Sequence, residues 1–349
     1  MIPQRKAQHS PISPPRQRRA VALKVLSLAA LASIALASVV GPSACNGSST
    51  SNRKVLNVGL LLGSGGLGDR SFNDSAYAGL LESQKKYNIR FETVSFSDAA
   101  TNLGALRTFA NDGYDLVIGV AFENLASIVT VAKEFPANKF AIIDAEANAD
   151  NVASIVYREQ EGDFLMGVLA AMLTSTHSVG VIGGTDIPAI RRIMAGFRQG
   201  ATYQDSNVKV FADFAGTFSD PTVGLNLALK HYDEGADVIH NAASKTGLGI
   251  IEAARRRDKL TTGTSGDQRY LAPGKVVGNR PKRVDVAVEM VIGEVRAGTF
   301  RAGIRSLGLK ENGIALGPFD DTIVTPQMQA RLDELRRRII DGSIVVQAQ

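Results

Sequence analysis

Three glycines, Gly63, Gly65 and Gly68, have the spacing G-x-G-x-x-G directly after an apolar run, a pattern typical of loops that bind dinucleotide phosphates. In such a loop the helix begins within the glycines, and an acidic residue follows about 20 residues later. Here helix-forming sequence begins only after Ser71, and the nearest suitable acid, Asp98, comes about 30 residues after Gly68. The pattern therefore does not predict a nicotinamide-dependent oxidoreductase.

Other catalytic arrangements are missing from the sequence. His177, His231 and His240 do not have metal-ligand spacing, and no G-x-S-x-G nucleophile motif occurs. The single cysteine, Cys45, excludes a disulfide within the chain and leaves the folded part without a thiol nucleophile. We therefore expect a protein that binds its ligand without transforming it, and that needs neither a metal ion nor a cofactor.

The excess of positive charge belongs to the N-terminal segment. The 349 residues carry a formal net charge of +5, but residues 1–44 contain six basic residues and no acidic one. The remaining 33 basic and 34 acidic residues give residues 45–349 a formal charge of −1. Since a nucleic-acid surface requires an excess of basic groups, no nucleic-acid partner is expected.

Residues 1–44 are interpreted as a lipoprotein signal peptide. An apolar stretch at 25–40 is short for a membrane span, and small residues at 41–44 precede Cys45. This ending resembles bacterial lipoprotein signals, in which the cysteine becomes the first mature residue and carries the lipid; the alternative is a free cysteine past an ordinary cleavage site. The polar segment 45–52 is predicted to be a flexible tether. We expect a lipid anchor on Cys45 and a location on the extracytoplasmic side of a cell-envelope membrane.

Short apolar runs alternate with helical patterns from Lys54 onward, and these elements must position any site. The runs are apolar throughout, which is typical of parallel strands covered on both faces. There are too many strand–helix units for one sheet, and residues 160–163 separate two similar series. We predict an α/β fold of two doubly wound parallel-sheet lobes around a cleft, with the ligand at the carboxyl ends of the strands.

The lobe boundaries are predicted from the same pattern. The N-terminal lobe is expected to contain residues 53–158 and 279–300, and the C-terminal lobe residues 159–278 and 301–349. Thr325 and Pro326 provide an N-cap and a first helical residue for a closing amphipathic helix. Asp69 is interpreted as the cap of the helix that follows it.

Several blocks of sequence, in their order and spacing, resemble one known family. They are residues 68–73, 76–79, 140–144, 158–162, 164–167, 183–184, 194–197, 237–239, 246–249 and 267–268. Through them the chain is similar to the basic membrane protein family of substrate-binding lipoproteins, which feed ABC importers and include purine-nucleoside binders. The resemblance implies a clamp of the type I periplasmic-binding-protein kind, with ABC permease subunits as partners.

The resemblance also implies residues that hold a flat base. Phe72 and Phe218, one from each predicted lobe, are expected to sandwich the ring, at roughly 1–3 kcal/mol per stacking contact. Asn73 and Asp144 offer the donors and acceptors that a base edge requires.

Four further residues are assigned to the sugar side of the ligand or the loop around it. Asp267 is expected to accept hydrogen bonds from two sugar hydroxyls, and Lys282 matches a basic family position that faces the sugar. Thr246 and Gly247 belong to a block that resembles the family's ligand-binding loop.

Three departures from the family pattern leave the ligand open. Gly63 and residues 265–266 stand where the family commonly has acidic residues, and Lys245 adds a cation. The expected function is that of an extracytoplasmic solute-binding lipoprotein of an ABC importer, which captures a purine nucleoside or a similar heteroaromatic solute by lobe closure. The alternative is a sensor or receptor lipoprotein on the same scaffold for another small molecule, such as a flavin or a ligand with negative charge near Lys245.

Overall fold

The computed structural model describes residues 54–349, all of which belong to one compact unit, Asn52–Gln349. The predicted signal peptide at 1–44, the lipid on Cys45 and the tether at 45–52 lie outside the described residues.

The first lobe is built on a six-stranded sheet with helices on both faces. Its strands are β1 (Leu56–Leu61), β2 (Ile89–Val94), β3 (Leu116–Val120), β4 (Phe140–Ile143), β5 (Val152–Tyr157) and β11 (Gly303–Leu307). Their order is β11-β5-β4-β3-β1-β2, and all neighbours are parallel. Its helices are α1 (Phe72–Tyr87), α2 (Ala99–Asn111), α3 (Leu125–Glu134) and α8 (Val284–Ala297). Apolar side chains of α1 and α8 pack on one face of the sheet, and those of α2 and α3 on the other.

The second lobe repeats this arrangement around a five-stranded sheet. Its strands are β6 (Ser178–Gly183), β7 (Lys209–Phe214), β8 (Val238–Ala242), β9 (Leu260–Thr264) and β10 (Val276–Arg280). The order is β10-β9-β8-β6-β7, again all parallel. Its helices are α4 (Glu159–Leu173), α5 (Pro188–Gln204), α6 (Pro221–Asp233), α7 (Gly247–Arg257) and α9 (Pro326–Ile340). The prediction of two doubly wound parallel-sheet lobes is therefore confirmed.

Three connections cross between the lobes and are hydrogen-bonded to one another: the first joins β5 to α4, the second joins β10 to α8, and the third joins β11 to α9. The third crossing, after β11, lies in the middle: its Leu307 carbonyl accepts from the Arg158 amide of the first crossing at 2.9 Å. Its Gly313 carbonyl accepts from the Arg283 amide of the second crossing at 2.8 Å. The Arg158 guanidinium also bonds Glu161 at 2.5 Å and pairs with Glu311, so ion pairs tie the crossings together.

The predicted lobe boundaries need two corrections. Residues 301–349 were assigned to the C-terminal lobe, but β11 joins the first sheet, where Gly303 to Leu307 pair with β5. Residues 279 and 280 were assigned to the N-terminal lobe, but they end β10 in the second sheet. Neither strand was recognised from the sequence, because glycine and polar or charged residues interrupt its apolar run.

Close contact between α4 and α5 holds one face of the second lobe together. A Cβ on Gly200 of α5 would lie 1.8 Å from the carbonyl oxygen of Phe164, and a Cβ on Gly167 of α4 would lie 2.0 Å from that of Phe197. The two helix backbones thus approach each other more closely than any side chain at these positions would permit.

Candidate ligand-binding cleft

A cleft lies between the lobes where the strands of both sheets end. The first lobe contributes the loop after β1, the start of α1, the turn after β3 and the residue after β4. The second lobe contributes α5, Phe218 and the loops after β8 and β9, and the end of β10 and the second crossing form its floor. This is the position that open parallel sheets favour for ligands.

The opposite walls of the cleft are apolar. Phe72 and Phe122 line the first lobe's wall. On the other wall, Ile190 and Ile193 lie one helical turn apart on α5 and pack with Phe218. A slot with apolar walls excludes water from both faces of a flat molecule and leaves the edges of that molecule for polar contacts.

The buried carboxylate of Asp69 fixes the position of Phe72. It accepts from the backbone amides of Ser71 at 2.9 Å, Asn73 at 2.9 Å and Asp74 at 3.2 Å. These are amides that the first turn of α1 leaves without helical partners, so the interpretation of Asp69 as the cap is confirmed.

The amide of Asn73 joins α1 to the loop after β1. Its Oδ1 accepts from the Gly63 amide at 2.8 Å, and its Nδ2 donates to Asp69 at 3.1 Å. Asn73 lines the cleft and is 2 % exposed, so it has one N–H and one lone pair left for a ligand.

A buried charge network occupies the floor beside Phe72. The Lys282 ammonium lies 2.6 Å from Asp144 and 2.9 Å from Glu159, and Arg192 donates to Glu159 at 2.6 Å. The ammonium also lies 5.4 Å from the centre of the Phe72 ring, within the range of a cation–π contact. The Lys282 ammonium thus already contacts two carboxylates and an aromatic ring.

The two carboxylates of this network differ in their tendency to ionise. Burial raises the pKa of Asp144; the charge of Lys282 opposes this shift, and that of Glu159 adds to it. Burial also acts to raise the pKa of Glu159, but Lys282 and Arg192 outweigh it, and the pKa of Glu159 is lowered. Two cations therefore favour charge on Glu159, whereas Asp144 depends on Lys282 alone for a close cationic partner.

Two further charged residues line the cleft, and each has one buried polar atom without a hydrogen-bond partner among the described residues. The Glu123 carboxylate accepts from Ser64 Oγ at 2.7 Å, while its other oxygen is buried without a hydrogen-bond partner in residues 54–349. Arg280, at the end of β10, is 1 % exposed, and its Nη1 has no partner in the same part of the chain. Neither residue was assigned a ligand role from the sequence. A charged residue shortly after the apolar pair Val276 and Val277 was the available signal for Arg280.

The structure brings five of the eight residues predicted for the ligand to this cleft. They are Phe72, Asn73, Asp144, Phe218 and Lys282. Their contact with a ligand stays a prediction.

Asp267, Thr246 and Gly247 lie outside the residues that line the cleft, and their contact with a ligand also stays a prediction. The Asp267 carboxylate bonds Arg269 at 2.9 Å and is 44 % exposed, since Gln268, and not its neighbour, turns inward to accept from the Thr264 amide. Thr246 is fully buried, and its hydroxyl accepts from the Asp220 amide. A Cβ on Gly247 would lie 2.2 Å from the Asn241 side chain.

Direct hydrogen bonds close the cleft on one side. Ser244 Oγ of the second lobe donates to Asp69 of the first at 2.8 Å. Gln268 Nε2 donates to the Arg70 carbonyl at 2.9 Å, and Ser71 Oγ donates to the Thr264 carbonyl at 3.4 Å. The structure therefore shows a closed form in which the Asp69–Ser71 loop is latched to the opposite lobe.

Replacing Ser244 with alanine is expected to shift the ligand-free protein toward an open form. A hydrogen bond to a charged group contributes about 1.5–3 kcal/mol, so we expect the ratio of open to closed forms to rise by at least about tenfold. A larger radius of gyration in X-ray scattering would report the shift.

Ser206→Ala is the matched control, because Ser206 is exposed in the turn before β7, at the amino end of an edge strand and away from the cleft. Equal scattering curves for wild type and Ser244→Ala would contradict the latch.

Residues 54–349 contain neither a metal-ligand cluster nor a helix able to span a membrane. No group of three or more His, Cys, Asp or Glu side chains in this range is arranged to hold a metal ion. Within the same range, no helix has the length and apolar character that crossing a membrane requires.

The chain matches a family model and is similar to several individual proteins. The Bmp family model, described as "ABC transporter substrate-binding protein PnrA-like", matches residues 56–349. An uncharacterized lipoprotein of Pyrococcus abyssi is 33% identical over 302 residues, which cover 82% of this chain and 75% of that protein. Basic membrane protein A of Borreliella burgdorferi is 30% identical over 333 residues, which cover 93% and 95%.

A solved structure has a similar fold. The solute-binding protein of an ABC transporter system from Aeropyrum pernix superposes with a TM-score of 0.77 at 28% identity, covering 84% of this chain and 94% of that one. The two parallel-sheet lobes are thus those of type I periplasmic binding proteins.

Proposed function

The chain belongs to the Bmp family of PnrA-like ABC transporter substrate-binding proteins, and from this premise we propose that it captures a purine nucleoside, or a similar flat heteroaromatic solute, by lobe closure. The family is one of solute-binding proteins and not of enzymes. The observation that carries the proposal is the pair of phenylalanines, Phe72 and Phe218, which come from different lobes and line one cleft.

The chemistry of the cleft supports a flat ligand with polar edges. The apolar walls suit the two faces of a heteroaromatic ring, and stacking on an aromatic side chain contributes about 1–3 kcal/mol per ring. The partnerless oxygen of Glu123 suits a donor on the ligand, and Asn73 has one donor and one acceptor to offer. A ligand that engages both lobes favours the closed form in proportion to its differential contacts.

The cellular role follows from family membership. The protein would bind its solute outside the cytoplasm, held to the membrane by a lipid on Cys45, and would pass the solute to ABC permease subunits. The naming of the Pyrococcus abyssi relative as a lipoprotein supports the anchored location.

Calorimetric titration of the purified protein with nucleosides, free bases and flavins tests the ligand. Binding of one or more purine nucleosides without their conversion is the expected result. A flavin as the only ligand would favour the sensor alternative on the same scaffold, and turnover of a bound compound would contradict the receptor role.

Phe72→Ala and Phe218→Ala are each expected to weaken nucleoside binding by at least about tenfold, because each removes one stacking face. The dissociation constant measured by calorimetry checks this expectation.

Tyr203→Ala serves as the matched control. Tyr203 is an exposed aromatic residue at the far end of α5 from the cleft, so its loss should leave affinity unchanged. Unchanged affinity in both phenylalanine variants would show that the ligand binds elsewhere.

A further inference from the structure

Arg280 is the most deeply buried cation of the cleft. It ends β10, lines the cleft and is only 1 % exposed. Its side-chain stem passes the backbone at Gly162, where an added Cβ would come within 3.0 Å of it. The Arg280 guanidinium is therefore held inside the cleft, because its stem is packed against the backbone and cannot turn outward to solvent.

One carboxylate balances this charge. Arg280 Nε donates to Asp163 Oδ1 at 2.9 Å, and His240 Nε2 lies 2.7 Å from the same oxygen. Burial lowers the pKa of His240, so the imidazole is neutral, donates through Nε2 and accepts from Thr262 Oγ1 at 2.6 Å through Nδ1. Arg280 and Asp163 thus form a neutral pair with His240 as a support.

The pair leaves one donor and one acceptor, Asp163 Oδ2, without partners among the described residues, and of the two residues only Arg280 lines the cleft. Arg280 Nη1 is buried and has no hydrogen-bond partner among the described residues. A buried polar group without a partner is costly, more so when it is charged, and a ligand that supplies an acceptor removes that cost. Lys282, the neighbouring cation on the floor, already has two carboxylate partners.

The position of Arg280 indicates which part of a ligand would reach it. A ring bound between the apolar walls leaves its edges for polar contacts, and Arg280 offers one such contact at the floor of the cleft. A ring carbonyl offers an acceptor to Nη1, whereas an exocyclic amino group would place a donor against a donor.

We propose that Arg280 is a specificity-determining residue that reads a carbonyl oxygen on the ligand's ring, so that the protein prefers 6-oxopurine nucleosides to 6-aminopurine nucleosides. This inference rests on the proposed nucleoside-binding function. The substrate class becomes nucleosides such as inosine and guanosine.

Calorimetric titration of the full-length protein with inosine and adenosine tests the inference, because these nucleosides differ at the 6-position of the purine and in the protonation of the adjacent ring nitrogen. Wild type is expected to bind inosine at least about tenfold more tightly, the effect of one hydrogen bond to a charged donor. In Arg280→Met the two affinities should converge to within about twofold, because the discriminating donor is gone.

Two more variants complete the design. Arg280→Met/Asp163→Asn keeps the buried pair neutral and should show the same convergence if the single variant does not fold. Arg198→Met is the matched control, because Arg198 is exposed on α5 of the same lobe, and its preference for inosine should equal that of wild type.

The inference and the proposed function fail in different ways. Equal affinity of wild type for both nucleosides, or a preference that survives in the Arg280 variants, overturns the role of Arg280 and leaves nucleoside binding intact. A proportional loss of affinity for both nucleosides in those variants also overturns it, because Arg280 would then support the cleft or a buried water instead of reading the carbonyl. Absence of binding by every nucleoside overturns both.

Discussion

Lys282→Met is expected to lower the free energy of unfolding at pH 8 by about 3–5 kcal/mol, the usual cost of removing one partner from a buried ion pair. Lys282 is the cation shared by Asp144 and Glu159, whose side chains are 12% and 0% exposed. Glu159 keeps Arg192 as a partner in the variant, so the uncompensated charge falls mainly on Asp144. Urea denaturation of the ligand-free protein measures the loss.

The same variant is expected to be less destabilised in acid. Burial already raises the pKa of Asp144, and removing Lys282 takes away the main effect that opposes this rise. A carboxyl whose pKa is higher in the folded than in the unfolded state binds more protons when folded, so stability falls as pH rises between those two values. The deficit of Lys282→Met should therefore be smaller at pH 5 than at pH 8.

Asp144→Asn supplies the control for this experiment. In Lys282→Met/Asp144→Asn the uncompensated charge is absent, so most of the stability should return and the pH dependence should flatten. A Lys282→Met protein as stable as wild type at pH 8 would show that the network does not depend on its lysine.

Gly200→Ala is expected to destabilise the second lobe by about 3 kcal/mol or to prevent its folding. The new Cβ would lie 1.8 Å from the Phe164 carbonyl oxygen, and both atoms belong to helix backbones that cannot turn aside as a side chain can. The α4 and α5 helices must then separate, which also displaces Ile190 and Ile193 of the cleft wall. Thermal unfolding of the purified variant measures the effect.

Gly104→Ala is the matched control, because Gly104 also lies inside a helix, α2, but a Cβ there meets nothing within 4 Å. Alanine is a better helix former than glycine by about 1 kcal/mol, so this variant should be as stable as wild type or more stable. Similar melting temperatures for the two variants would contradict the close helix contact.

Strands β1 to β9 were predictable from the sequence, because each is a short, mainly apolar or β-branched run and most are followed by a helical pattern. β11 was not predictable, since the run Gly303 to Leu307 is partly exposed at the sheet edge, contains Arg305 and pairs with β5 about 150 residues away. β10 contains Gly278, Asn279 and Arg280, which do not form a typical strand pattern.

The cleft was partly predictable, because residues directly after strands or at the start of α1 lie where the ends of parallel strands meet. Phe72 and Asp144 are of this kind. Asp267 was not, because Ser265 has a left-handed backbone conformation, with φ of 62°, that redirects the chain after β9. The α5 isoleucines were read as part of a helix pattern, and periodicity alone does not distinguish a face that packs in a core from one that borders a cleft.

The three crossings constrain the motion that admits a solute. Because the third crossing is hydrogen-bonded to both of the others, the three crossings form a narrow ribbon. Such a ribbon bends more readily than its segments slide past one another. We therefore expect the two lobes to rotate about one hinge axis formed by the crossings, without sliding past each other. Such a rotation would bring Phe72 and Phe218 into the same alignment at each closure, so a solute would be bound in one orientation.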